Sequence, residues 1–314
     1  MTRRIVLLAP HGQVGFELQR SLSALGTLDC LSRVDVDFAD IKNTIAKVAA
    51  LKPDVIVNAA AWTAVDKAET AAEAAYALNT SLPAALAELA KMRDCWLVHY
   101  STDYVYPGDG DTPWQEDDVT APLSVYGASK LAGDVAIAQQ GGKYLIFRTS
   151  WVYAARGNNF MKTMLKLAQQ RDSLNVVADQ IGAPTPARLI ANVSALALQQ
   201  VLTPGSDHAE QSGVYHLATA GETNWHQFAS AIFALARQAG LPLQLSPDKL
   251  QAICTTEYPT PARRPANRRP WPRSFLFRGL PDGRPHRCRG RARRRSHNRH
   301  CRFRAPSSRQ TWRR

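Results

Sequence analysis

The sequence predicts an α/β fold built on a doubly wound parallel sheet, and three observations carry that reading. Short apolar runs alternate with helical patterns through the first hundred residues, as consecutive βα units do. Val55-Ile56-Val57 is apolar at every position, which suits a strand covered on both faces. The first run, residues 5–9, ends in Pro10-His11-Gly12-Gln13-Val14-Gly15, a glycine turn between strand and helix.

Taken in order, the helix after that turn carries Leu18, Leu22 and Leu25 on one face. Glycines let the backbone approach a dinucleotide pyrophosphate, which rests on a helix N-terminus where unpaired N–H groups favour negative charge. Ala9 stands where the first glycine of such a fingerprint is expected. A second strand over residues 28–31 leads into Ser32-Arg33-Val34-Asp35-Val36-Asp37-Phe38. A carboxylate here favours a ribose hydroxyl and an arginine favours a 2′-phosphate; both are present, so NADH and NADPH stay open. Asp37 and Phe38 are candidates for the surroundings of the adenine. Ile41, Ile45 and Val48 recur at helical spacing, and the third strand ends in Asn58-Ala59-Ala60-Ala61, small residues that leave room for a nicotinamide ribose. An alanine-rich helical stretch over 71–91, interrupted by Pro83, contains Asn79 as a structural polar contact.

The chemistry is expected between residues 96 and 130. Trp96-Leu97-Val98-His99-Tyr100 reads as a buried strand that delivers Ser101, Thr102 and Asp103 at its carboxyl end, where ligands bind in open α/β sheets. Ser124-Val125-Tyr126-Gly127-Ala128-Ser129-Lys130 then opens a helix, which puts Tyr126 and Lys130 one turn apart on one face. A free tyrosine, with pKa near ~10, is a poor acid or base at neutral pH, and a nearby ammonium moves it toward the working range. A strand-end hydroxyl can fix the oxygen of a bound carbonyl.

Beyond this helix, a strand over 143–152 reaches Thr149-Ser150-Trp151, and a helix follows Gly157-Asn158-Asn159-Phe160. Helices are expected over 189–201 and 225–238, with a strand over 213–217. Residues 1–150 thus read as a dinucleotide-binding domain with a returning segment near 186–217, and residues 151–265 as an interleaved, smaller C-terminal α/β substrate lobe.

The net charge of +13 is not spread along the chain: residues 263–314 hold nineteen Arg, no Lys and one acid, a net +18, leaving −5 for residues 1–262. The body is enzyme-like, and nucleic acid is not the expected partner. Clustered arginines attract phosphate, but the tail shows no accompanying fold. Residues 266–314 are expected to be disordered, and arginine mixed with Pro, Gly, Cys and His suggests a shifted reading frame starting near 266–269. Cys288, His297, His300 and Cys301 match no common zinc spacing, so no metal site is expected. The five cysteines are odd in number and scattered, as free thiols are. No apolar run of about 18 residues and no leader pattern is present, so a cytoplasmic protein is expected, without membrane contact.

Several motifs, in order, resemble one family: Gly12-Gln13-Val14-Gly15, Val57-Asn58-Ala59-Ala60-Ala61, Thr63-Ala64-Val65-Asp66-Lys67, His99-Tyr100-Ser101-Thr102-Asp103, Tyr126-Gly127-Ala128-Ser129-Lys130, Phe147-Arg148-Thr149-Ser150-Trp151 and Tyr258-Pro259-Thr260-Pro261-Ala262-Arg263-Arg264-Pro265. This set is similar to the dTDP-4-dehydrorhamnose reductases of the extended short-chain dehydrogenase/reductase family. The resemblance implies a Rossmann-type fold and NAD(P)H-dependent reduction of the C4 ketone of dTDP-4-dehydro-β-L-rhamnose, the last step in making dTDP-rhamnose for bacterial surface polysaccharide, including lipopolysaccharide O antigen. It implies that Tyr126 protonates the C4 oxygen, Lys130 binds the nicotinamide ribose and tunes Tyr126, and Thr102 hydrogen-bonds the sugar oxygen. Asp103 and Trp151 would line the sugar pocket; Gly12, Gln13, Val14, Gly15, Asp37, Phe38, Ala61, Trp62, Thr63 and Tyr100 would hold the cofactor. A homodimer is implied too, bridged by Mg2+ in some members, but Arg188 stands where those members carry an acid. Two other readings share these motifs: a non-catalytic dinucleotide-binding regulatory subunit and a sugar-nucleotide epimerase that retains its NAD.

Overall fold

Residues 2–205 and 208–267 are described by the computed structural model. The expectation of disorder from residue 266 fails for its first two residues: the Ala266 carbonyl accepts Ile181 N–H (2.8 Å), and Asn267 is buried, its N–H donating to the Gly108 carbonyl (2.9 Å) and its Nδ2 to the Thr112 carbonyl (2.9 Å). The rest of that expectation, with the shifted frame and the Cys/His set, falls on residues 268–314 and lies outside the described residues.

Strands and helices alternate from the start: β1 (Arg4–Leu8), α1 (Gln13–Leu22), β2 (Thr27–Leu31), α2 (Ile41–Ala50), β3 (Val55–Asn58), the short α3 (Val65–Ala68) and α4 (Ala72–Tyr76), α5 (Leu82–Met92) and β4 (Trp96–Thr102). Then come α6 (Val125–Gln140), β5 (Lys143–Thr149), β6 (Val152–Tyr153), α7 (Phe160–Gln170), β7 (Leu174–Val177), β8 (Ile181–Gly182), β9 (Thr185–Pro186) and α8 (Ala187–Val201). The short α9 (His208–Gln211), β10 (Gly213–His216), β11 (Thr223–Asn224), α10 (Trp225–Gln238) and β12 (Leu250–Ile253) follow.

Six strands form one parallel sheet in the order β10-β5-β4-β3-β1-β2. The order reverses between β1 and β3, which is the crevice where doubly wound sheets bind ligands. Strand alternation sends Ile5, Leu7, Val55, Val57, Val98 and Phe147 to one core with α1 and α8. Val6, Leu8, Ile56, Leu97 and Ile146 point the other way, into a core with α2, α5 and α6. A third core joins Met164 and Ala168 of α7 to Ala229, Ile232 and Phe233 of α10 and Leu174 and Val176 of β7; β12 pairs parallel to β7 beside it. No helix among the described residues is long and apolar enough to cross a membrane.

Helix starts follow the local chemistry. Side chains of Asp40, Ser124, Asn159 and Asn224 accept backbone N–H groups at the starts of α2, α6, α7 and α10, satisfying donors that the helix itself cannot. Gly141, at φ +66°, ends α6 in the left-handed conformation.

Two expected elements differ in detail. The stretch over 71–91 does not break at Pro83, which occupies the first turn of α5, where a missing N–H costs nothing. The chain instead widens into a π turn over Ala77–Ser81. The strand expected to reach residue 152 stops at Thr149, because Trp151 adopts φ +44° and interrupts the ladder before β6.

Ala9 adopts φ +59°, and left-handed backbone costs a non-glycine residue roughly 1–2 kcal/mol. Glycine there loses somewhat more chain entropy on folding. Ala9→Gly is therefore expected to stabilise the protein by about 0.5–1 kcal/mol, read as a raised midpoint in thermal denaturation; a lowered midpoint would show that the alanine is not strained.

Candidate active site

The carboxyl ends of β1, β3, β4 and β5 carry nearly all the candidate residues. At the first, the turn is tight: Gly12 N–H donates to the Ala9 carbonyl (3.2 Å), and a Cβ built on Gly15 would lie 2.1 Å from that same oxygen. Only glycine lets α1 approach β1 this closely. Gly12 caps α1 without a side-chain acceptor for its first N–H groups, so the backbone of Gln13, Val14 and Gly15 offers a positive end suited to a pyrophosphate. Asn159 Nδ2 donates to Gln13 Oε1 (2.8 Å), and Arg156 Nε donates to the His11 carbonyl (3.4 Å). The residues present thus fit a dinucleotide.

After β2, Asp35 turns back on its own loop and accepts from Ser32 N–H (2.8 Å) and Ser32 Oγ (2.6 Å); these bonds hold its carboxyl below the usual range. Asp37 is exposed and accepts from Ala39 N–H (3.0 Å). Phe38 is only 3% exposed and packs with Val6, Leu8 and Val48, so its ring serves the core and offers no face for adenine to stack on.

After β3, Ala61 and Trp62 are half-buried and Thr63 is exposed. Asn79 secures this segment: its Oδ1 accepts Trp62 N–H (2.9 Å) while its Nδ2 donates to Trp62 O (3.1 Å) and Ser129 Oγ (3.0 Å). The π turn that carries Asn79 thereby ties the β3 loop to α6.

At the end of β4, Thr102 lies close enough to the Tyr126 phenol to pull its pKa down. Thr102 Oγ1 also donates to Asp103 Oδ1 (3.0 Å), and Ser150 Oγ donates to Asp103 Oδ2 (2.7 Å). Burial pushes the Tyr126 phenol up and outweighs the downward pull of Thr102, so at neutral pH it holds its proton; the expected shift toward the working range is overturned, because burial dominates. Tyr104 meets the Tyr126 ring edge-on, with centroids 5.4 Å apart. Lys130, 1% exposed, donates from Nζ to the Tyr100 carbonyl (2.6 Å) and lies 3.0 Å from His99 Nε2. The Tyr100 hydroxyl itself donates to Ser194 Oγ on α8 (2.8 Å).

Trp151 is held in its left-handed conformation by packing. Its indole stacks on Trp225 with centroids 3.4 Å apart, and a Cβ on Gly182 would meet it at 2.4 Å. Trp225 Nε1 donates to Gln180 Oε1 (3.1 Å). Backbone strain of this kind clusters at functional sites.

Behind the site, Arg148 Nε lies 3.2 Å from Asp134 Oδ2, both nearly fully buried. Arg148 Nη1 donates to the Tyr106 hydroxyl (2.7 Å), which also bonds His216 Nε2 (2.7 Å). Burial pushes Tyr106 up to about 12 despite that guanidinium. Arg264 makes a forked pair with Asp66 (2.9 and 2.8 Å), clamping residues 262–264 to α3. The Arg264 hydrogen bond is the main cause of a lowered Asp66 carboxyl pKa, so this contribution is present above the ordinary carboxylate range and lost as pH falls through the lowered value. Asp66→Asn is expected to cost about 0.5–1 kcal/mol at pH 7, since solvent screens this half-exposed carboxylate, with the denaturation midpoints of variant and wild type converging in acid; a gap independent of pH would remove the ion pair as the cause.

The surroundings of Arg188 do not suit a bridging cation. Its guanidinium is 3.3 Å from Glu17 Oε2, which Arg20 also contacts at 2.5 Å, and no cluster of three metal-ligating side chains occurs among the described residues.

Sequence reasoning missed His99, Asn58, Ser150, Asp134 and Arg148 as parts of this centre. Their signal was weak: single polar residues within apolar strands or on a helix face, recognisable only by what they meet.

A parallel sheet with a glycine turn at its switch point and a Tyr-Lys pair beside a strand-end hydroxyl defines a nicotinamide-dependent oxidoreductase of the short-chain dehydrogenase/reductase type. The chain belongs to the RmlD substrate binding domain family, whose model matches residues 3–269. It is 51% identical over 269 residues to dTDP-4-dehydrorhamnose reductase of Shigella flexneri, covering 84% of this chain and 88% of that one. The Salmonella typhimurium enzyme of the same name is 51% identical over 272 residues, with the same coverage. The crystal structure of dTDP-4-dehydrorhamnose reductase from Bacillus anthracis in complex with NADP superimposes with a TM-score of 0.80 at 31% identity, covering 89% of this chain and 94% of that one.

Proposed function

We propose that this chain reduces the C4 ketone of dTDP-4-dehydro-β-L-rhamnose to dTDP-β-L-rhamnose, in the cytoplasm, with NADPH or NADH as reductant. The observation that carries the reading is the placement of Thr102, at the end of β4, beside Tyr126 at the start of α6, with Lys130 one turn along that helix. A bound nicotinamide supplies hydride to C4. Thr102 turns its single hydroxyl proton from Asp103 to the C4 oxygen, and Tyr126 gives its phenolic proton to that oxygen as negative charge develops there. The elevated Tyr126 pKa suits this direction, because the group is fully protonated before the reaction. Lys130, in its protonated form, stabilises the resulting phenolate and holds the nicotinamide ribose. Asp103, pinned by Thr102 and Ser150, and Trp151, pinned by Trp225 and Gly182, shape the sugar pocket. The uncapped start of α1 takes the cofactor's pyrophosphate, and Ala61, Trp62 and Thr63 flank its nicotinamide end.

The test is oxidation of NADPH and NADH by the purified chain with dTDP-4-dehydrorhamnose, followed at the nicotinamide absorbance. Turnover with release of oxidised cofactor supports the reductase. Cofactor retained through desalting, with isomerisation in place of net reduction, would favour an epimerase. Cofactor binding without reaction would favour a regulatory subunit.

A further inference from the structure

His99 is completely buried in β4, beneath the Tyr-Lys pair, and has no place in the chemistry described above. Its two ring nitrogens both meet polar groups: Nδ1 lies 3.1 Å from Asn58 Nδ2 on β3, and Nε2 lies 3.0 Å from Lys130 Nζ on α6. The Asn58 amide is held in one orientation in this structure, because its Oδ1 accepts the Ala60 N–H (3.1 Å), so its NH2 faces the ring. An NH2 can only donate. Nδ1 must therefore be the acceptor, and a neutral imidazole then carries its single proton on Nε2. That N–H points at Lys130.

An ammonium has three donors and no acceptor. Set against His99 Nε2–H, a charged Lys130 would leave two donors facing each other. Turning the Asn58 amide over moves the conflict to Ala60, where NH2 would face a backbone N–H. The four groups are mutually satisfied in one state only: Asn58 donates to Nδ1, Nε2–H donates to a neutral Lys130 amine, and that amine donates to the Tyr100 carbonyl at 2.6 Å.

We propose that His99, oriented by Asn58, is a positioning residue for Lys130. It couples the lysine's protonation to its own tautomer and to the hydrogen bond between Asn58 and the β3 loop. When Lys130 takes a proton, the His99 proton must move to Nδ1 and the Asn58 amide must turn, releasing Ala60 beside the segment assigned to the nicotinamide. Lys130 protonation and the β3 loop thus change together.

The charges around the array bring the exchange between its two states close to neutral pH. Burial draws Lys130 down to about 8, against the attraction of Asp134 one turn along α6. Burial, and then the Lys130 charge, hold His99 well below its ordinary range, so the ring stays neutral. Arg148 of β5 pairs with Asp134 and offsets its pull on Lys130, Tyr126 stands on the same face of α6, and Asn58 of β3 is uncharged.

The first test needs no substrate and is independent of the proposed reaction. Nitrogen-15 NMR of histidine-labelled full-length protein, with the His99 signals assigned by their loss in His99→Gln, reads the tautomer against pH. The expected result is a neutral ring that switches from Nδ1–H to Nε2–H as pH rises through the Lys130 titration. A single tautomer across that range, or an imidazolium, would overturn the proposal. The second test rests on the assigned roles of Tyr126 and Lys130. In His99→Gln the side-chain carbonyl can accept from a charged lysine, so the alkaline limb of kcat is expected to move up by about one pH unit, with KM for the nucleotide sugar within about twofold. A folded variant with an unshifted limb would overturn the coupling. If the chain fails to turn over this sugar, the NMR result still decides the matter.

Discussion

Tyr126→Phe is expected to lower kcat by about 10²- to 10⁴-fold while leaving the dissociation constants of NADPH and NADH almost unchanged, because the substitution removes one proton donor and keeps the ring. The hydroxyl lost is the one beside Thr102 at the carboxyl end of β4. The ring's edge-on packing against Tyr104 remains available to phenylalanine, so the fold should be unaffected. Thr102 can still hold the carbonyl oxygen, which is why residual turnover is expected. Pre-steady-state hydride transfer, followed with C4-deuterated cofactor, is the appropriate readout. Full activity would remove Tyr126 from the chemistry and leave the family assignment untouched.

Asp134→Ala is expected to give the largest loss of stability, about 3–5 kcal/mol, because it strands the Arg148 guanidinium in the interior without its counter-charge. In a chain of this size that lowers the thermal midpoint by on the order of 10 °C. Arg148 is 5% exposed and Asp134 2%. The remaining partners of Arg148, the Tyr106 hydroxyl and the Glu116 carbonyl, are neutral. The physical cause is separable from simple loss of packing. Asp134→Leu combined with Arg148→Met removes both charges, and it should recover much of the loss, since a buried ion pair replaced by apolar groups of similar volume is often close to neutral. A double variant as unstable as Asp134→Ala would show that the pair is not the source.

The glycine turn, the β3 run and the Ser101-Thr102-Asp103 strand end were legible because each depends on local rules: φ freedom, burial on two faces, and a strand's direction. Tyr126 and Lys130 were legible as neighbours because a helix brings residues four apart to one face. The place of the Phe38 ring was not legible, since an aromatic at a loop position has the same sequence signature whether its ring meets a ligand or the core; the structure puts it in the core. Trp151 was misread as continuing its strand, because its left-handed backbone is imposed by Trp225 and Gly182, which are distant in sequence. No local rule announces such a conformation for a tryptophan.

What the sequence determined by itself was the order of elements, the parallel sheet with its ligand-binding edge, and which hydroxyls and amines reach that edge. Periodicity and turn chemistry act over a few residues and can be read from them. Only the tertiary structure decided the partners: His99 between Asn58 and Lys130, Ser150 on Asp103, Asn79 on the Trp62 backbone, Asp134 against Arg148, and Arg264 on Asp66. Each pair joins segments whose meeting depends on how the sheet and helices stack. Hydrogen bonds and ion pairs act over a few ångströms, so which donor finds which acceptor is settled only when the core has packed.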